Sequence, residues 1–319
     1  MQKVALAEPA RCKCGDKAVY FRRYEGQYLC AKCFCDSVEK RVKRTVRQFN
    51  MIRPGDKIAF GLSGGKDSST VLYIMSRILK PRKDIEFFAF TINEGIHDYR
   101  EKSIPIAKAL CKKLGVKHYI FSYKQSLGKT LDQKMQEVRE KPNIIQTACA
   151  YCGVARRYML NKKARDLKAT KLCLGHNLDD EAQSILMNYI RGDMAKASRM
   201  GAVTDYSTAK SGGEKFVPRI KPLRSIPEKE VGLYAVLKGL EVQEDECPYA
   251  DGIRFEVRDF LNNLEAKHSG IKFSVLETFD RMRPIIRELF EKQKIEITLC
   301  KNCGEPSSQE VCKLCEMWR

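Results

Sequence analysis

The sequence predicts an α/β chain, a doubly wound and mostly parallel sheet flanked by two small cysteine modules of zinc-ribbon type. Three observations lead there. Between residues 57 and 190 short β-rich runs alternate with stretches of helical spacing, the pattern of a parallel sheet with helices between its strands. A glycine-rich turn joins the first of these strands to a helix. Cysteines gather at the two ends, five of the 14 within residues 12–35 and four within 300–315. These marks divide the chain into an N-terminal module (1–36), a core (37–250) and a C-terminal part (251–319).

In the N-terminal module Cys12-x-Cys14 and Cys30-x2-Cys33 offer four thiolates, enough for a tetrahedral Zn²⁺, with Cys35 as a substitute ligand. Only one residue separates the first pair, a tighter bite than the usual two. Over residues 37–50, Val38, Val42, Val46 and Phe49 share one helical face, and Lys40, Arg41, Lys43, Arg44 and Arg47 share the other. That basic face is a solvated surface or an RNA contact, and both readings stay open.

In the core, 57–62, 85–92, 118–122 and 171–174 read as strands, and 68–79, 103–114 and 178–189 as helices; the sheet is expected to end near residue 225. Residues 202–217 lack any apolar period and read as a mobile loop, and 251–294 as two helices. Four cysteines close the chain as Cys300-x2-Cys303 and Cys312-x2-Cys315, eight residues apart, a second four-thiolate zinc set.

Composition bounds the function. Against 40 Asp and Glu stand 59 Lys and Arg, leaving +19, which points to a polyanionic partner. Apolar runs such as Val71 to Met75 fall far short of the roughly 20 residues needed to span a bilayer, so no membrane partner is expected. No secretory leader is read, and reduced thiols in a cytoplasmic compartment are the expectation.

The segment from Ile58 to Ser68 runs strand, glycine turn, helix, which brings backbone N–H groups and a positive helix end toward a phosphate. A Walker A loop needs four residues between its glycines and Ser or Thr after the lysine. Here Gly61 and Gly65 enclose three, and Asp67 follows Lys66. Ser63-Gly64-Gly65-Lys66-Asp67-Ser68 instead resembles the pyrophosphate loop of the PP-loop ATPases, whose members cleave ATP between the α and β phosphates and adenylate a carbonyl oxygen. By position at the second strand's end, Thr91 and Ile92 are candidates for the adenine. Gly175 to Glu181 starts a helix at another strand end, facing the same crevice. Asn177 reads as its N-cap, and Asp179, Asp180 and Glu181 complement the helix dipole or hold Mg²⁺.

Cys149-x2-Cys152 has no second pair nearby, only the distant Cys247. Three thiolates make a metal centre with one open position, or else a pair poised for disulfide and persulfide chemistry. Cys111 and Cys173 sit in apolar patterns and read as core.

Together, Leu29 to Phe34, Ser63 to Ser68, Glu94 to Ile96, Cys149 to Gly153, Gly175 to Asp180, Met187 to Gly192, Arg219 to Leu223 and Glu246 to Tyr249 resemble the TtuA/NcsA group of tRNA 2-thiouridine synthetases nearly end to end. Phe34-Cys35 and Asn188 to Asp193 look most like the branch that thiolates the wobble uridine; the sister branch modifies ribothymidine 54 in the T loop. The resemblance implies a [4Fe–4S] cluster on Cys149, Cys152 and Cys247 with one iron free to hold sulfide. It implies ATP contacts from Gly61, Asp67, Arg156 and Gly175, with Asp180 at the reaction centre. It implies tRNA as substrate, with sulfide or a thiocarboxylated ubiquitin-like protein as sulfur donor; a homodimer through the C-terminal module is a separate expectation. Two departures stand out: the shortened Cys12-x-Cys14 spacing, and Arg156 where some relatives have Lys. The competing reading from another class is a zinc-ribbon RNA scaffold without catalysis, which would have no use for a pyrophosphate loop. Sulfur-free PP-loop chemistry would leave the three interior cysteines without a role.

Overall fold

The computed structural model describes residues 10–140, 147–204, 213–291 and 298–318. Along the chain, strands β1 (Tyr20–Arg22) and β2 (Gln27–Leu29) form an antiparallel hairpin, followed at once by helix α1 (Ala31–Gln48). Cys30 caps α1, its Sγ accepting from the Cys33 N–H, so the cysteine module runs without a break into the helix across the expected boundary at 36/37. Val38 and Val42 of α1 are fully buried, and Lys40, Lys43, Arg44 and Arg47 are exposed as expected. Arg41 departs from the basic face: it is buried and donates to the Glu230 carboxylate and the Ser225 carbonyl.

The core alternates as its periodicity demands: β3 (Lys57–Gly61), α2 (Lys66–Leu79), β4 (Glu86–Asn93), α3 (Arg100–Leu114) and β5 (His118–Ser122). After α4 (Tyr123–Leu127) and α5 (Leu131–Arg139) comes α6 (Ala148–Asp166), a helix the sequence did not announce. It buries Tyr151, Cys152, Ala155, Met159, Asn161 and Ala164 against both the sheet and the C-terminal module, so it has no one-sided apolar stripe to read. Then follow β6 (Lys171–Cys173), α7 (Leu178–Ile190), α8 (Met194–Ser198), β7 (Val203–Thr204), β8 (Arg219–Ile220) and α9 (Glu228–Leu237). The chain ends with α10 (Ile253–Lys267), α11 (Ile271–Glu291), the short pair β9 (Thr298–Leu299) and β10 (Pro306–Ser307), and α12 (Lys313–Trp318).

The six-stranded sheet has the order β5-β4-β3-β6-β8-β7 and is parallel except for β7. The first core strand, β3, lies in the middle, with later strands added to either side. The strand order therefore reverses between β3 and β6, and the crevice beyond their C-terminal ends is the ligand position of such sheets. Period-two alternation divides the core. Ile58 and Phe60 face a cluster with α1, α2, α3 and α9, while Ala59, Phe88 and Phe90 face one with α5, α6 and α12. Helices α10 and α11 pack on α7 and α8 rather than on the sheet.

The expected mobile loop is partly corrected. Val203 and Thr204 pair antiparallel with Ile220 and Arg219 as an edge strand, and Val217 is buried; the remaining stretch, 205–212, lies outside the described residues. Among the described residues no helix is long and apolar enough to cross a membrane.

Candidate active site and metal centres

A cavity of about 320 Å³ opens at the ends of β3, β4 and β6. The turn between β3 and α2 forms one wall because two glycines permit it. Gly64 has φ +89°, and a Cβ there would lie 2.5 Å from the Ser103 carbonyl oxygen. Gly175, across the crevice, approaches the chain so closely that its Cβ would lie 2.7 Å from the Asp67 carbonyl carbon. Ser68 secures the turn, its Oγ 2.9 Å from Ser63 Oγ and accepting from the Ser63 N–H at 3.1 Å.

Of the predicted nucleotide residues, Gly61, Ser63, Asp67, Ser68, Ile92, Arg156, Gly175 and the reaction-centre Asp180 line this cavity. Gly64, Gly65 and Lys66 shape the turn without lining it; the Lys66 ammonium pairs with Glu228 at 2.7 Å and Asp67 at 3.4 Å. Thr91 is a correction: strand alternation points it to the opposite face, where its hydroxyl donates to the Leu62 carbonyl at 2.7 Å and meets His118. Burial pushes the Asp67 carboxyl up to about 6; Lys66 counteracts that, and the charge of Asp180 adds to it.

The acid cluster at the start of α7 separates into roles. Asn177 caps the helix reciprocally with Asp180, and its amide donates to Asp67 at 2.9 Å. Asp179 is taken by the buried Lys272 and by the Glu228 N–H, and Glu181 by Lys221 and Arg224. Only Asp180 reaches the cavity, steadied by Arg254 at 3.0 Å.

The charge network behind the cavity was not foreseen as a unit. Glu94, fully buried at the end of β4, binds the guanidinium of Arg100 and, at 2.9 Å, the Nε of Arg156. Two guanidiniums hold its carboxyl below the usual range despite burial. The other end of Arg156 donates from Nη2 to Cys152 Sγ at 3.1 Å. Arg156 thus touches the nucleotide cavity and the cysteine site together. His176 also lines the cavity; its buried Nδ1 has no partner among the described residues, and burial keeps the ring neutral. In the sequence the network showed only as separate pieces, Arg156 as a nucleotide contact and an acid-glycine pair, Glu94-Gly95, following a strand.

Cys149 and Cys152 stand one turn apart on α6. The Cys149 thiol donates to the Tyr249 carbonyl at 3.1 Å, and the Tyr123 hydroxyl meets the Cys152 carbonyl and thiol. Cys247 feels the charge of Cys149, and Cys152 that of Cys247, so the three share one neighbourhood. The loop bearing Cys247 is stitched to the pyrophosphate turn. The Gln243 N–H donates to the Gly64 carbonyl at 2.9 Å, and its side-chain amide to the Tyr99 carbonyl.

The terminal sets are built otherwise. Cys12, Cys14, Cys30 and Cys33, and likewise Cys300, Cys303, Cys312 and Cys315, bring all four sulfurs within 4.8 Å of one another, as one tetrahedral ion requires. Cys35, the expected substitute, is instead buried in the core with its thiol pKa raised by burial. Cys111 and Cys173 are core residues as expected. Among the described residues the three interior thiols form no such tight set. That looser spacing suits a larger body on which each thiol takes its own metal.

A glycine turn at the switch point of a parallel sheet, with a pyrophosphate-loop sequence and two guanidiniums on the buried Glu94, defines an ATP-using α/β protein of the PP-loop class. A PP-loop domain model matches residues 36–264. The chain is 39% identical over 316 residues to the tRNA 2-thiolation protein NcsA of Haloferax volcanii, covering 96% of this chain and 97% of that one. It is 33% identical to the tRNA-5-methyluridine(54) 2-sulfurtransferase of Pyrococcus horikoshii, covering 97% and 93%. Among solved structures it is similar to the U34-tRNA thiolase NcsA from Methanococcus maripaludis with its [4Fe–4S] cluster, with TM-score 0.79 and 35% identity over 96% of this chain and 95% of that one. The chain belongs to the PP-loop family and, within it, to the NcsA/TtuA group of tRNA 2-thiolation proteins.

Proposed function

We propose that this chain is an ATP-dependent tRNA sulfurtransferase that makes 2-thiouridine at the wobble position, in the cytoplasm. The observation that carries the reading is Arg156, whose guanidinium lines the nucleotide cavity, is anchored by Glu94 and donates to Cys152.

The C2 oxygen of uridine is a poor leaving group. Attack of that oxygen on the α-phosphorus of ATP releases pyrophosphate and leaves AMP on the oxygen; a sulfur nucleophile then forms the C2–S bond and AMP departs. The turn from Ser63 to Ser68 and the start of α2 receive the pyrophosphate through backbone N–H groups and the positive helix end. Arg156 stabilises charge on the departing pyrophosphate. Asp67 and Asp180, whose mutual repulsion a divalent cation would relieve, fit Mg²⁺. The two terminal thiol sets fit Zn²⁺ and bind together the modules that carry them. Cys149, Cys152 and Cys247 fit three irons of a [4Fe–4S] cluster, which when bound would supply, on the fourth iron, a place for the sulfur to be transferred. Around it, Arg156 donates to the Cys152 sulfur and Tyr123 donates to the Cys152 carbonyl, which together orient that residue, while the Gln243 stitch keeps Cys247 against the nucleotide turn. Sulfide or a thiocarboxylated ubiquitin-like protein delivers the sulfur, and a homodimer forms through the C-terminal module.

The test is anaerobic incubation of the protein with ATP, Mg²⁺, sulfide and unmodified tRNA, followed by nucleoside mass spectrometry with position mapping. Formation of 2-thiouridine at the wobble position is expected. Its appearance only in the T loop would move the target, and its absence together with absence of tRNA-dependent AMP would favour a scaffold.

A further inference from the structure

A second cavity, about 360 Å³, opens beside the first between α6, α8, β8 and the C-terminal cysteine module. Arg157 and Tyr158 of α6, Lys196 of α8, Arg199 just after it, Arg219 of β8 and Lys313 of α12 line it. Among the described residues the one carboxylate in the lining, Glu305, is gripped at both oxygens by Arg165, so it does not offset Arg157, Lys196, Arg199 or Lys313. Among the described residues Lys196 and Lys313 pair with Asp193 and Glu316, neighbours three residues away on the surface, contacts that a phosphate displaces at little cost. Arg157 has no carboxylate partner among the described residues, and burial with the like charges of Arg219 and Arg156 pushes its pKa down. A guanidinium set among like charges, with no carboxylate of its own among the described residues, favours an incoming anion. Tyr158, Phe216 and Pro306 add apolar surface of the kind that takes the face of a base.

Position supplies the rest. Arg156 and Arg157 are consecutive, yet the first lines the nucleotide cavity and the second this one, so one turn of α6 serves both. We propose that the second cavity binds an unpaired nucleotide of the RNA strand adjacent to the uridine being modified, its base against Tyr158 and its phosphate among Arg157, Arg199 and Lys313. This rests on the tRNA reading above and adds to it a specific grip on the substrate strand. It also gives the C-terminal module a task, since Pro306 and Lys313 form one wall.

The test measures binding of unmodified tRNA to the full chain between about 50 and 200 mM salt, with ATP binding followed in parallel. Tyr158→Ala is expected to weaken tRNA binding about tenfold, with Tyr158→Phe restoring it. Arg157→Ala and the double change Lys196→Glu/Arg199→Glu are expected to weaken it about tenfold or more and to flatten the salt slope by about one per charge removed. ATP affinity should stay the same. A short single-stranded RNA should compete with tRNA on the wild type, and inorganic phosphate at equal ionic strength should not; competition by phosphate alone overturns the nucleotide assignment. Unchanged tRNA affinity and slope in these variants overturns the proposal while leaving the function standing if the wild type thiolates. A wild type that binds no tRNA overturns both. Should Arg157→Ala or Tyr158→Ala also lose ATP binding, the exposed Lys196→Glu/Arg199→Glu pair decides.

Discussion

The two terminal cysteine sets and the interior three-cysteine site use the same side chain for opposite ends. Each terminal set closes within 16 residues or within one hairpin and helix start, brings four sulfurs within 4.8 Å and leaves no coordination position open. The interior site takes two thiols from α6 and a third from nearly a hundred residues later, and its sulfurs are engaged by Arg156, Tyr123 and the Tyr249 carbonyl. Four convergent thiolates spend all their ligand capacity on holding the fold together. Three thiols spread around a charged side chain leave capacity for a reactant, and the same side chain reaches the nucleotide cavity.

That contrast is broken or sharpened by removing its parts. Replacing Cys149, Cys152 or Cys247 with Ala should reduce thiolation, read by nucleoside mass spectrometry, to background while the unfolding midpoint and tRNA affinity change little; a fully active Cys247→Ala protein would end the functional half of the contrast. Cys312→Ala should do the reverse in kind, lowering bound zinc by about one equivalent and exposing the C-terminal module to proteolysis, with tRNA affinity lost and ATP binding kept. Glu94→Gln leaves two guanidiniums facing a neutral amide in a buried site and should cost about 3–5 kcal/mol in denaturant unfolding, with a fall in thiolation as Arg156 loses its anchor. Asp67 gives a pH signature. Its carboxyl, raised from 3.8 to about 6, holds a proton in the folded protein that the unfolded chain releases. Its contribution to stability is therefore present below about pH 4 and lost as pH rises through about 6. Nucleotide-free Asp67→Asn protein should be more stable than wild type at pH 7 and similar near pH 4, while binding ATP·Mg²⁺ more weakly. The smallest effect belongs to Cys35→Ser, about 1–2 kcal/mol for a hydroxyl in an apolar site, with zinc content unchanged; a loss of zinc would return Cys35 to the ligand set.

Legibility followed the range of the interaction. Strands and helices with one buried face were readable, because sheet and helix periods act over neighbouring residues; α6 was not, because burial on two sides removes the stripe. For the same reason Ile92 and Thr91 could be placed at a strand end but not assigned to faces. Asp179 and Glu181 looked equivalent to Asp180 until Lys272, Lys221 and Arg224, from distant segments, took them away.

By itself the sequence determined what short spacing can encode: the conformation of the pyrophosphate turn, the cap at Asn177 and the four-thiol sets whose ligands lie on a hairpin, a knuckle or one helix turn. Tertiary structure alone decided which groups of different segments share a charge. Glu94 meets Arg156 across 62 positions and Gly64 meets Gln243 across the core, so the union of nucleotide cavity and cysteine site exists only once the sheet has closed. The physical reason is that a buried ion pair or a shared thiol neighbourhood is chosen by proximity in space, and residues far apart in sequence carry no local pattern that records it.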